Sequence, residues 1–267
     1  MFTTTHALNL DEVGPVEVRV DDHGQGRPFL LLHGGAGPDS TGDFAELLAA
    51  TKPARVLNPT HPGFGGTSRP ESLHTIRGLA ALYVALVEKL GLDGVTVVGN
   101  SVGGWIAAEM ALIGSPRIRG AVLIDAVGIQ VPGHPVAHYF SLSMDQVFAL
   151  SFHEPDRFRF DPRTLPPAAQ AIAAGNRAAL ASYAGTAMSD PTLRERLSSL
   201  EMTTLVLWGD SDRIADTEYG RAYAKAIPMA RFQLLRNTGH QPQLETPDQV
   251  LTAVWDYADA DRPSVAG

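Results

Sequence analysis

Val95-Thr96-Val97-Val98-Gly99-Asn100-Ser101-Val102-Gly103-Gly104-Trp105 is the stretch on which the fold turns. Val95–Val98 reads as a buried strand, and a helix is expected from Val102 to about Ile113. A strand that runs straight into a helix must turn sharply. The G-x-S-x-G spacing supplies two glycines that permit a strained turn, lift the serine hydroxyl above the sheet and let the helix pack close to the strand. The helix start also leaves backbone N–H groups without partners, a setting suited to a developing oxyanion. Ser101 is therefore the candidate nucleophile.

Moving outward, the same rhythm repeats. Val16-Glu17-Val18-Arg19-Val20 alternates as a half-buried antiparallel strand does. Continuous apolar runs at Phe29–Leu32, Arg55–Leu57, Val95–Val98, Ala121–Ile124, Thr204–Leu207 and Phe232–Leu235 suit strands covered on both faces. Ile76 to Leu90 has helical spacing with Gly91 as its stop. Alternating strands and helices imply an α/β protein with a mostly parallel sheet and helices on both faces. From residue 129 to 200 the strand-like runs vanish, prolines punctuate the chain and aromatics gather. This segment is expected to be a helical cap inserted in an α/β core made of residues 1–128 and 201–267. Its expected place is the carboxyl edge of the sheet, where ligands of such sheets bind.

A serine hydroxyl needs a base to take its proton as it attacks. Among nine histidines, His240 in Asn237-Thr238-Gly239-His240-Gln241-Pro242 follows the last strand-like run, at the edge where Ser101 should sit. His6, His23 and His74 stand in looser contexts and are expected on the surface. The base needs a carboxylate to fix its tautomer. Asp212 in Gly209-Asp210-Ser211-Asp212-Arg213 is the candidate, with Asp210 and Asp125 as competitors. Asp210 is expected to bond local backbone instead. The oxyanion should meet the N–H of Val102 and one from His33-Gly34-Gly35-Ala36-Gly37, with Gly35 first and Ala36 in reserve. His33 itself is expected to be structural.

Together His33-Gly34-Gly35, His61-Pro62-Gly63-Phe64-Gly65-Gly66-Thr67-Ser68, Gly99-Asn100-Ser101-Val102-Gly103-Gly104, Trp208-Gly209-Asp210-Ser211-Asp212 and Gly239-His240 resemble the α/β-hydrolase superfamily over almost the whole chain outside the insertion. The resemblance implies the α/β-hydrolase fold, with Ser101 as nucleophile, Asp212 as acid and His240 as base. That family commonly has aspartate where His61 stands, at a structural position. Asn100 and the Gly103-Gly104 pair look like the meta-cleavage-product hydrolases, which break carbon–carbon bonds in vinylogous diketones. Arg177 could correspond to their carboxylate-binding arginine, making Asn100 and Arg177 candidate substrate contacts. Those enzymes carry tryptophan after the histidine, whereas Gln241 stands here.

Ester hydrolysis is therefore expected first, and carbon–carbon hydrolysis second. A ligand-binding receptor on the same fold is the rival from another class, and a lyase or cofactor-free peroxidase-like activity a third possibility. No cofactor and no metal are called for: phosphate- and dinucleotide-loop spacings are missing, and His134 and His138, four apart, have no acidic companion in the pattern. With no cysteine, disulfides, thiolate metal sites and a thiol nucleophile are excluded. Twenty-nine acids against twenty-one bases give a net charge of −8, which opposes binding to nucleic acid or an anionic membrane.

No signal peptide or membrane-crossing run is read, and a cytoplasmic enzyme for a small molecule is expected. Residues 261–267 read as a frayed tail. Phe140, Met144, Phe148, Phe152, Phe158, Phe160 and Tyr183 are expected mostly to hold the cap together, and Trp105 to pack. Arg157, Arg159 and Arg163, interleaved with acids, suit a solvated face.

Overall fold

The apolar runs become the interior of one sheet. The computed structural model describes residues 1–11 and 13–260, so the tail at 261–267 lies outside the described residues. Strands β1 (Phe2–Leu10), β2 (Gly14–Gly24), β3 (Arg27–Leu32), β4 (Ala54–Pro59), β5 (Val95–Asn100), β6 (Ile118–Ile124), β7 (Thr204–Gly209) and β8 (Ala230–Leu235) line up in the order β1-β2-β4-β3-β5-β6-β7-β8. β2 is antiparallel to β1 and β4, and the strands from β4 to β8 are parallel. Leu30 pairs with Val97, Val98 with Val122 and Val122 with Leu205, so β-branched and leucine side chains stack across the centre.

Helices α1 (Asp39–Thr51), α2 (Ile76–Lys89), α3 (Val102–Ile113), α4 (Met144–Ser151), α5 (Pro167–Ala184), α6 (Leu193–Arg196), α7 (Thr217–Ala226), α8 (Pro242–Glu245) and α9 (Pro247–Ala260) complete the chain. One face of the sheet carries α1 and α9, whose Phe44, Leu48, Val250 and Val254 pack on Phe29, Leu31, Val98 and Val122. The other carries α2, α3 and α7, with Leu79, Leu82, Ile106 and Tyr223 against Leu30, Val97 and Leu123. Each such leucine or isoleucine, fully buried, contributes roughly 1.5–3 kcal/mol. Thr75 caps α2 by accepting the Gly78 N–H.

Two features were not read from the sequence. β1 is an edge strand of which only Leu8 is buried, so Thr3-Thr4-Thr5 carries no apolar signal. His23, expected on the surface, is buried. β2 is an interior strand, and the alternation that turns Val16, Val18 and Val20 to one face puts His23 on the other, paired in register with Val56. His74 is exposed as expected.

Between β6 and β7 none of the described residues joins the sheet; the segment holds α4, α5, α6 and short 3-10 turns. Arg196 fastens its far end. The guanidinium makes 2.7 Å bonds to both carboxylate oxygens of the buried Glu109 on α3 and a 2.9 Å bond to Asp190. Among the described residues no helix is long and apolar enough to cross a membrane.

Candidate active site

The carboxyl ends of β5, β6, β7 and β8 converge on one point. At the end of β5, Ser101 has φ 56° and ψ −117°, an unfavourable conformation for a side-chain-bearing residue. Such strain costs on the order of 1–3 kcal/mol. It is held by the Ser101 N–H donating to Ile124 O at 2.9 Å and by Ser101 O accepting from Trp105 N–H at 3.2 Å. The flanking glycines are obligatory: a Cβ on Gly99 would stand 2.1 Å from Gly103 O, and one on Gly103 would stand 2.1 Å from Leu32 O. The helix therefore starts in direct backbone contact with two strands.

The serine points at His240. Ser101 Oγ lies 2.9 Å from His240 Nε2, and His240 Nδ1 lies 2.8 Å from Asp212 Oδ2. Asp212, in the turn after β7, accepts the Ile214 N–H at 2.8 Å and the Ala215 N–H at 3.2 Å through its other oxygen. All three side chains are buried. A carboxylate so held favours the Nδ1–H tautomer, which leaves Nε2 free to accept the serine proton.

The competitors separate on geometry. Asp210 is exposed and bonds Thr238 N–H and Ser211 Oγ. Asp125, at the end of β6, is fully buried and accepts the Gly209 N–H at 2.9 Å. Burial, and then the charge of Asp212, push its carboxyl well above the usual carboxylate range.

Asp125, Asp212 and His240 form the one group of three potential metal-ligating side chains among the described residues. Asp212 and His240 already bond each other and their neighbours, so this is a hydrogen-bonded cluster and not an open cation site. His134 and His138 lie outside any helix, and His134 bonds Asp216 at 2.7 Å.

A cavity of about 420 Å³ opens above Ser101. Gly35, Ala36 and Val102 line it, Val102 being the first residue of α3, whose N–H has no helical partner. Beneath the glycine loop His33 Nδ1 bonds Gly34 O at 2.8 Å, and His33 Nε2 accepts the His61 N–H at 3.1 Å. His61 Nε2 bonds His33 O at 2.9 Å, and its Nδ1 meets Tyr83 Oη. Burial drives His61 down to about 4 and His33 well below its usual value, so both rings are neutral. His33 and His61 thus hold the loop from behind, as a structural role requires.

The walls of the cavity are aromatic. Met144, Phe148, Phe152, Phe158 and Phe160 line it, whereas Phe140 and Tyr183 do not. More of these side chains face the cavity than the sequence led us to expect, because α4 and the turns after it present one apolar face towards Ser101. Phe152 and Phe158 stack at 4.3 Å. Trp105 packs against Gly128, behind the elbow.

Asn100 reaches the cavity, yet its amide is occupied. Nδ2 donates to His240 O at 2.9 Å and Ile124 O at 3.3 Å, and Oδ1 accepts from Gln243 at 3.3 Å. Arg177 also lines the cavity. It bonds Phe140 O at 2.7 Å, lies over the Tyr139 and Phe140 rings, and forms no ion pair with a carboxylate among the described residues. Glu245 was not anticipated. Buried on α8, it accepts the N–H groups of Gly239 (2.7 Å), Glu154 (2.9 Å) and His153 (3.1 Å). The His240 N–H in turn donates to Ser151 O at 2.7 Å. An acid five residues past the histidine was the only sequence signal for this tie.

A sheet of this strand order, with a strained serine between its fifth strand and the following helix, defines the α/β-hydrolase class. The chain belongs to the alpha/beta hydrolase family, whose profile matches residues 29–253. It is 27% identical to a 2-hydroxy-6-oxo-2,4-heptadienoate hydrolase of Pseudomonas putida, over 93% of this chain and 95% of that one. It is 26% identical to Lipase 1 of Psychrobacter immobilis, over 84% and 74% respectively. A thermophilic esterase from Thermogutta terrifontis superimposes with a TM-score of 0.78 at 25% identity, covering 97% of this chain and all of that one. These relatives are a dienoate hydrolase, a lipase and an esterase, and this chain is a hydrolase of the same family.

Proposed function

We propose that this protein is a serine hydrolase that cleaves a small, largely apolar carboxylic ester or related carbonyl compound through an acyl-enzyme. The observation that carries the reading is the chain Ser101 Oγ, His240, Asp212 opening into an aromatic cavity. Ser101 attacks the carbonyl carbon as His240 Nε2 takes its proton, and Asp212 holds the imidazolium that forms. The N–H groups of Gly35 and Val102 receive the oxyanion. His240 then protonates the leaving alcohol, and water, deprotonated by the same ring, releases the acid. Residues 129–200 act as a cap that supplies the apolar wall and excludes bulk water, while the described residues of 1–128 and 201–260 form the core.

The test is turnover of short-chain and aryl p-nitrophenyl esters by the wild type and by Ser101→Ala. A burst or steady release of nitrophenol that disappears in Ser101→Ala supports the reading; turnover surviving in Ser101→Ala refutes it.

One observation favours a second substrate class, the vinylogous diketo acids. Arg177 offers a cation in the cavity that forms no ion pair with a carboxylate among the described residues, and the Pseudomonas putida relative's name describes a dienoate hydrolase. If a substrate carboxylate docks there, Arg177→Gln should raise KM for a hydroxy-oxo-dienoate far more than for a neutral ester.

A further inference from the structure

Asp125 is the one titratable side chain of the cluster to which the proposed chemistry assigns no task. It stands at φ 45°, a left-handed conformation unusual for a residue with a side chain. The Asp125 N–H donates to Leu207 O at 3.0 Å, and Oδ1 accepts the Gly209 N–H at 2.9 Å, so its backbone and side chain are both clamped to β7. Oδ2 is buried and has no hydrogen-bond partner among the described residues. A carboxylate oxygen of Asp125, one of Asp212 and a ring nitrogen of His240 lie within 4.8 Å of one another. The titratable groups facing Asp125 are thus Asp212, from the turn after β7, and His240, from the loop before α8.

Two carboxylates this close in a dry site cannot both ionise, and one must keep its proton. The surroundings decide which. Asp212 accepts two backbone N–H groups and meets the His240 ring. Asp125 receives one N–H and nothing at Oδ2. Burial and the neighbouring charge both hold its carboxyl in the acid form.

We propose that Asp125 is a positioning residue for the proposed triad, a neutral carboxylic acid whose Oδ2–H donates to the Asp212 carboxylate. The inference rests on the reading of Asp212 as the acid partner of His240. The proton on Asp125 satisfies an oxygen that would otherwise be orphaned, and it gives Asp212 a further donor. Asp212 is thereby fixed between the Ile214 and Ala215 amides, His240 and Asp125, and its charge stays where the imidazolium forms. Asp125 is not among the residues that line the cavity above Ser101.

The first experiment is isotope-edited infrared spectroscopy with aspartate labelled at the side-chain carboxyl. The wild-type protein should show a protonated-carboxyl band persisting at about pH 8, well above ordinary aspartate titration. Asp125→Asn should lack it. The absence of that band in the wild type overturns the proposal, whatever the variants do. The second experiment is kinetic. Asp125→Ala should lower kcat roughly 10- to 100-fold with KM within about twofold, as misplacement of a reacting group does. Asp125→Asn, which keeps an acceptor for Gly209 and a donor for Asp212, should restore most of that loss. Recovery no better in Asn than in Ala overturns the donor role. The band needs no turnover, so it stands or falls apart from the triad reading, which an active Ser101→Ala alone would sink.

Discussion

Two sets of buried imidazoles lie on either side of Ser101, and they have opposite characters. His33 and His61 sit under the glycine loop with every ring nitrogen bonded to backbone or to Tyr83. Burial there lowers both, and no acid among the described residues contributes to either shift. His240 is equally buried, yet one nitrogen meets a carboxylate and the other a hydroxyl that borders a cavity. Burial alone makes a histidine inert scaffolding. A buried acid on one side and an open space on the other make it able to carry a proton.

That contrast can be broken most sharply at His240. His240→Ala should lower kcat on esters by roughly 10⁶-fold, as loss of the base does in such triads. A comparable kcat loss in His61→Ala, with normal folding, would erase the distinction. Instead His61→Ala should unfold in urea at a stability lower by about 2–4 kcal/mol, because it leaves a cavity and an unpaired His33 carbonyl.

Glu245→Ala comes next. Three backbone N–H groups lose their acceptor, which should cost about 1–3 kcal/mol by urea unfolding. The histidine loop loosens with them, and kcat should fall on the order of tenfold. Unchanged kinetics would show that the loop is held without it.

The smallest effect is a pH slope. Because burial depresses His61 to about 4 from the ordinary 6.5, the unfolded chain binds a proton in that interval that the folded protein refuses. Stability is therefore full above the unfolded value and is lost as pH falls towards the folded one, by about 1.4 kcal/mol per pH unit for the ring. His61→Asn should flatten the plot of unfolding free energy against pH by that amount between about pH 6 and 4.5. An unaltered slope would mean that His61 is already charged in the folded protein.

The sequence made these regions legible to different degrees. Ser101, Asp212 and His240 each follow an apolar run, so strand ends alone placed them at one edge. The inert pair was half legible: His33 was read as structural, but its bond to the backbone of residue 61 joins positions far apart in the chain. Asp125 was weighed against Asp212 and set aside. Only the converging strand ends reveal that the two carboxyls meet, because the insertion between β6 and β7 holds Asp125 and Asp212 far apart in the chain. The orientation of Phe148 or Phe158 had no local signal either, since α4 and the turns after it carry apolar residues on more than one side.

The insertion is tied to the histidine loop. A Cβ on Gly239 would stand 2.2 Å from Ser151 O, so the two backbones touch with no room for a side chain. The His240 N–H and the Glu245 carboxylate then bolt the loop to Ser151, His153 and Glu154. Any displacement of the α4 end would be felt at His240, the proposed proton carrier, and so at its alignment with Ser101. That end is therefore joined to the loop carrying His240, whereas α5, whose Leu180 and Arg177 border the cavity, is tied elsewhere, through Asn176 to Gly65 and Tyr183 to Pro62.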